Sequence, residues 1–172
     1  MLFDSLMKTK SSLEILRTVF GHKNFRNPQE EIISTVMRGE DCLALMPTSA
    51  GKSLCFQIPS ILREGCGIVI SPLIALMKDQ VINLHQRNIK ASAIHSGMNT
   101  IAISGKLRGY KTSKKQQIDL DQFCRKNKLR PQLIKIDAEG AEMGILKGAI
   151  ETLRIHRPII YLSVHPQHIS EL

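Results

Sequence analysis

Gly51-Lys52-Ser53 has the residue types and spacing to hold a phosphate. It closes the stretch Asp41-Cys-Leu-Ala-Leu-Met-Pro-Thr-Ser-Ala-Gly-Lys-Ser53, where a short apolar run meets a helical pattern. A turn between a buried strand and a helix aims several backbone N–H groups at one point, and the positive helix end adds to them. Lys52 brings a charge that reaches the β/γ-phosphates, and the Ser53 hydroxyl is placed for Mg²⁺. Gly51 permits close backbone approach. The bland alternative is that Gly-Lys-Ser arises by chance at a helix start. The strand before it and the helix after it supply the context the motif requires.

A second constellation is Leu133-Ile-Lys-Ile-Asp-Ala-Glu-Gly-Ala-Glu142, an apolar strand with carboxylates at its exit. Ligands in open α/β sheets sit at the carboxyl ends of strands. If this strand lies beside Cys42–Met46, Asp137 approaches a Mg²⁺ on Ser53, which makes Asp137 and Glu139 the catalytic candidates. The favoured alternative is that both acids cap a helix starting at Ala141. His165-x-x-His168 lacks a third ligand and reads as a solvated tail. Cys42, Cys55, Cys66 and Cys124 form no CxxC pair, and three of them fall in apolar patterns, so buried reduced thiols are expected.

These residues need elements to position them. Spacing predicts helices over 11–20 and from Pro28 to Gly39, a strand Cys42–Met46 buried on both faces, and a helix from Gly51 to about Arg63. Next come a strand Gly67–Ser71, a helix Leu73–Gln86 and a strand Ala91–His95. Strand–helix alternation at this spacing means parallel β with right-handed crossovers. Periodicity fails from Gly97 to Gln117, where only Thr100–Ser104 suggests a strand. This stretch is the expected join and the expected most mobile segment. Order returns with a helix Leu120–Asn127, a strand Leu133–Asp137, a helix Ala141–Arg154 and a strand Ile159–Val164. Gly140, Gly144 and Gly148 line one side of that last helix, implying close approach to the sheet.

The 172 residues suit one α/β domain, and 42% apolar residues can build its core. No apolar run approaches the roughly 18 residues of a membrane span. The N-terminal residues lack the order of a signal peptide, so a cytoplasmic protein is expected. Net charge is +9. Between Lys106 and Arg130 nine Lys or Arg face two Asp, which suits either a phosphate backbone or a solvated face. Only Tyr110 and Phe123 are there to stack bases, so a single-strand platform is poorly supported.

Residues 13–98 resemble the first half of the N-terminal RecA-like domain of RecQ-family DNA helicases. Phe25-Arg26-x-x-Gln29 matches the adenine-reading motif, Met46-Pro-Thr-Ser-Ala-Gly-Lys-Ser53 matches Walker A, and Ser71-Pro-Leu-Ile-Ala-Leu-Met-Lys-Asp-Gln-Val81 matches motif Ia. The resemblance implies that Arg26 and Gln29 contact adenine and that His22 stacks on it. It also implies that Thr48, Ser49, Ala50, Gly51, Lys52, Ser53 and Leu54 cradle ATP or ADP with Mg²⁺. Motif Ia implies a weak nucleic-acid contact. Ser49 stands where that family usually has Gly, which costs about 1 kcal/mol if φ is positive there. No Asp-Glu dipeptide occurs, so the family's Asp-Glu-Ala-His box is missing, as is the second RecA-like domain with its arginine finger. Little or no hydrolysis or unwinding is expected.

Residues from about 118 to 166 resemble the C-terminal part of FkbM-type S-adenosylmethionine-dependent methyltransferases. Ile118-Asp-Leu-Asp-Gln-Phe-Cys124, the strand to Asp137, Ala138-Glu-Gly-Ala-Glu142, Leu146-Lys-Gly-Ala149 and His165-Pro166 carry it. That family's early glycine-rich turn for the methyl donor has no counterpart, so S-adenosylmethionine is not an expected cofactor.

Together the two resemblances imply an α/β three-layer sandwich with a mostly parallel sheet. A P-loop half spans 1–98, a basic junction 99–117 and a Rossmann-like methyltransferase half 118–172, making one composite domain. The expected partner is a nucleotide, with oligomers open and no membrane. A structural fusion without any ligand site and a basic nucleic-acid module are the competing readings.

Overall fold

The computed structural model describes residues 10–47, 50–93, 101–103, 107–110 and 119–163. Helix α1 (Ser12–Thr18) starts at Ser11, whose side chain accepts from the Glu14 N–H while Glu14 answers the Ser11 N–H, a reciprocal capping box. Helix α2 is Gln29–Met37 and α3 is Lys52–Leu62. Ile15, Leu16, Ile33 and Ile58 lock these three together, with Phe20, Phe25 and Leu54 against them.

Strand β1 (Cys66–Ile70) follows α3, and helix α4 (Ile74–Gln86) follows β1. A two-stranded antiparallel ribbon joins β2 (Ile101–Ile103) to β3 (Leu107–Tyr110). Then come α5 (Leu120–Asn127), β4 (Pro131–Ile136), α6 (Glu142–Lys147), α7 (Ile150–His156) and β5 (Ile159–Leu162).

The main sheet has the order β1-β4-β5, all parallel. Leu133 and Ile134 are neighbours on β4, hence on opposite faces, and both are fully buried. Both faces of the central strand are therefore covered, as an α/β layer fold requires. One cover is α3, which packs on β4 and β1. Gly67 lets it come close, since a Cβ there would lie 2.6 Å from Ser60 Oγ. The other face is covered less completely, and Ile160 and Leu162 on β5 stay exposed.

A proline sits inside α3. Pro59 has no N–H to give the Cys55 carbonyl four residues earlier. Tyr161 of β5 fills that vacancy, its hydroxyl donating to Cys55 O at 2.5 Å while its ring meets Phe56 edge-on at 6.3 Å. A helix preceding β1 is thus satisfied by the last strand of the sheet. Burial raises the Tyr161 phenol above its ordinary pKa, and it pushes the Cys55 thiol up to about 11.

Three expectations are corrected. Cys42–Met46 is not a strand, and Leu43 and Leu45 are 94% and 89% exposed. The neighbour that β1 has in the sheet is β4, and 42–46 pairs with neither. The helix expected over Ala141–Arg154 is two, broken at Gly148-Ala149. Asp121 causes the restart: its carboxylate accepts from the Glu151 and Thr152 N–H groups at 3.0 and 2.7 Å, while its own N–H donates to Gly148 O. The glycine row does not lie against the sheet, for a Cβ on Gly144 would meet nothing, and one on Gly148 would meet Asp119. Residues 91–93 carry no strand, and the rest of the expected Ala91–His95 strand lies outside the described residues, as do 164–172 with His165 and His168 and most of the 97–117 join.

A candidate phosphate-binding turn

Helix α3 ends at Leu62 and hands the chain to β1 at Cys66. Its N-terminus therefore lies toward the carboxyl end of the strands, where α/β sheets take ligands. Gly51 is its N-cap, in the left-handed region at φ 72° and ψ 38°. A side chain is disfavoured twice over: by φ, and because a Cβ would lie 2.6 Å from Gln29 Nε2. Ala50 N–H donates to Pro47 O at 3.1 Å, and Leu54 N–H to Gly51 O at 3.1 Å. The N–H groups of Lys52 and Ser53 belong to the first turn and have no partner within the helix. Lys52 is exposed; Ala50, Ser53 and Leu54 are half-buried. Thr48 and Ser49, also expected in the cradle, lie outside the described residues.

Gln29, expected to contact adenine, is bonded here to the turn itself. It opens α2, is 2% exposed, and reaches 21 residues along the chain. Its Nε2 donates to Ala50 O at 3.0 Å and Gly51 O at 3.1 Å, while its Oε1 accepts from Arg26 N–H at 2.9 Å. No local pattern announces such a brace. The one signal is an amide-bearing residue at a position otherwise apolar and buried, beside Ile32, Ile33 and Val36.

His22 and Arg26 are both exposed. His22 lines an open groove of about 500 Å³ with Arg17, Gly21, Lys23 and Asn24, and Arg17 Nε holds that loop through Lys23 O at 2.9 Å.

Asp137 leaves the carboxyl end of β4, its N–H donating to Ile70 O. Its carboxylate pairs with Lys135 Nζ at 2.7 Å, the side chains 31% and 15% exposed. Lys135 Nζ also stands 5.6 Å from the Phe56 ring centre, one turn into α3. The structure thus brings Asp137 to the sheet edge that α3 faces, but not beside a Cys42–Met46 strand. The N-cap of α6 is Ala141, which offers no side-chain cap. Glu139 is exposed at φ 49°, and Glu142, quoted above only as part of a motif, accepts from Ala138 and Gly140 N–H at 3.0 and 2.8 Å. Among the described residues no three of His, Cys, Asp or Glu gather as metal ligands.

Cys55 and Cys124 are buried and Cys66 is half-buried, but Cys42 is exposed, outside the sheet. No helix among the described residues is long and apolar enough to cross a membrane. On the basic segment, Arg125 of α5 is paired with Glu151 at 2.8 Å.

Residues 51–172 match the methyltransferase FkbM domain. The match begins well before the part of the chain whose motifs carried that resemblance. The chain is also 46% identical over 94 residues to the ATP-dependent DNA helicase RecQ of Synechocystis, covering 54% of this chain and 20% of that protein. It is 49% identical over 82 residues to the ATP-dependent DNA helicase Q-like 4B of Arabidopsis thaliana, covering 48% of this chain and 7% of that one. With the ATP-dependent DNA helicase Q5 of Rattus norvegicus it shares 33% over 168 residues, 96% of this chain and 16% of the relative. The chain spans a fifth or less of the length of these curated relatives.

Proposed function

The chain belongs to the FkbM methyltransferase domain family, and we propose that its helicase-like turn at Ala50–Leu54 binds the phosphates of ATP or ADP with Mg²⁺ and turns them over little or not at all. The observation that carries this is Gly51: a left-handed, side-chain-free N-cap at the start of an eleven-residue helix, braced from behind by a buried amide. Such a turn fits an anion through backbone N–H groups and the helix dipole. Lys52 would supply the mobile positive charge and Ser53 the hydroxyl for the cation.

Weak turnover follows from what is short of charge at the same edge. The sequence has no Asp-Glu pair, and the Asp137 carboxylate is engaged by Lys135. Phosphoryl transfer relies on positioned charge, so a bound nucleotide here lacks most of its acceleration. Family membership does not extend the proposal to methyl transfer, because no glycine-rich turn for the donor occurs in the sequence. Nucleic-acid contact is the second reading, favoured by α4: it carries the motif Ia residues and has no buried residue, leaving Lys78 exposed.

Calorimetric titration with Mg·ADP and Mg·ATP tests the first reading, with released phosphate followed in the same samples. Saturable binding and phosphate release at the buffer background are expected. Absence of binding, or turnover that disappears with Lys52→Ala, contradicts it. For the second, affinity for a DNA strand should fall steeply with added salt.

A further inference from the structure

We infer that Gln29 is a positioning residue for the phosphate turn and reads no base, so that the site takes a polyphosphate whatever base is attached to it. The inference rests on the proposed phosphate site and adds its ligand class.

An amide side chain has two donor hydrogens and one acceptor oxygen with two lone pairs. In Gln29 both directions are committed within the protein. Nε2 lies 3.0 Å from Ala50 O and 3.1 Å from Gly51 O, and Oε1 takes the Arg26 N–H at 2.9 Å. No donor is left for a ring nitrogen of a base. The side chain is also 2% exposed. A two-point amide contact to adenine would pull Nε2 off the turn, taking from Ala50 O the donor it has there, while Gly51 O would keep only the Leu54 N–H.

What those bonds do is local and directional. They hold the carbonyls of Ala50 and Gly51 back toward α2, which turns the following N–H groups the other way, toward an anion. Gly51 completes the fit: its missing Cβ is the space Nε2 occupies. The Gln29 of the adenine-reading likeness is thus spent on shaping the turn. Base selectivity by hydrogen bonding demands a free donor and acceptor, and without them a site discriminates weakly.

The test uses the whole chain with three probes, Mg·ATP, Mg·GTP and Mg·tripolyphosphate, and three forms: wild type, Gln29→Ala and Gln29→Glu. The Glu variant keeps shape and the Arg26 contact but sets a carboxylate against two carbonyls. For wild type, ATP and GTP are expected to bind within about threefold of each other, since a lost or gained reading bond would shift the ratio by tenfold or more. Both variants should weaken all three probes alike, tripolyphosphate included. Amide hydrogen exchange without any ligand should rise across residues 50–54 in both variants while exchange in β4 stays unchanged. A wild-type preference for ATP over GTP of tenfold or more, lost in Gln29→Ala with tripolyphosphate binding intact, overturns the inference. Unchanged exchange at 50–54 in the variants overturns the bracing itself. If wild type binds none of the three probes, the phosphate reading fails and the ligand class with it, while the exchange measurement still decides whether Gln29 braces the turn.

Discussion

Tyr161 and Pro59 show how one residue's deficit is met by another far along the chain. Pro59 leaves the Cys55 carbonyl without its helical donor, and the Tyr161 hydroxyl supplies one. Tyr161→Phe should therefore cost about 1–3 kcal/mol, the penalty of a buried unsatisfied carbonyl. Urea denaturation reads it, and the loss should shrink in a Pro59→Ala background, where residue 59 can donate in the helix. The same burial sets a pH dependence. Cys55 is shifted from 9.0 to about 11 and Tyr161 is raised too, so in alkali the unfolded chain gives up these protons before the folded one. The unfolded state then binds fewer protons, and stability should fall as pH rises through about 9 to 11. The fall should be shallower in Tyr161→Phe. At this scale the sequence was partly legible. Gly51, Lys52 and Ser53 stand at a helix start as their spacing implied, with Gly51 in the conformation only glycine takes readily. The work of Gln29 was hidden, because its partners lie 21 and 22 residues away.

Among the elements, α7 begins where it does because Asp121 caps it from α5. Its carboxylate holds two first-turn N–H groups, and although burial alone would raise its pKa, the bonds from Thr152 and Glu151 outweigh this and lower it. Asp121→Ala should destabilise the protein by about 0.5–2 kcal/mol, the usual loss of a helix cap. A reduced urea midpoint with faster amide exchange confined to α5 and α7 checks this; an unchanged midpoint refutes it. The helix Leu120–Asn127 and the strands at Cys66–Ile70 and Pro131–Ile136 were legible because apolar spacing reports burial directly. Cys42–Met46 was misread for the same reason. Its residues are as apolar as a central strand, but apolar spacing alone does not provide a pairing partner, and here the run stays outside the sheet and exposed. The break at Gly148 was invisible because its cause, Asp121, is a tertiary contact.

For the whole molecule, the consequence is that neither likeness stands alone. The helix that follows the candidate turn lies on β4, from the methyltransferase-like part, as well as on β1, and β1 is paired edge to edge with β4. Unfolding should therefore be a single transition, with α3 and β4 losing structure together. ATP hydrolysis should stay near background with or without DNA, since the carboxylate at the sheet edge is tied to Lys135. The measurement that bears most directly on the phosphate site is thermal unfolding of wild type and Lys52→Ala, each with and without Mg·ATP. At a hundredfold excess over Kd, binding should stabilise wild type by about 2.7 kcal/mol. For a chain of this size that is a rise in Tm on the order of 5–10 °C. One transition that moves up in wild type and stays put in Lys52→Ala is the predicted result. An equal rise in Lys52→Ala, or none in wild type, would contradict the phosphate site.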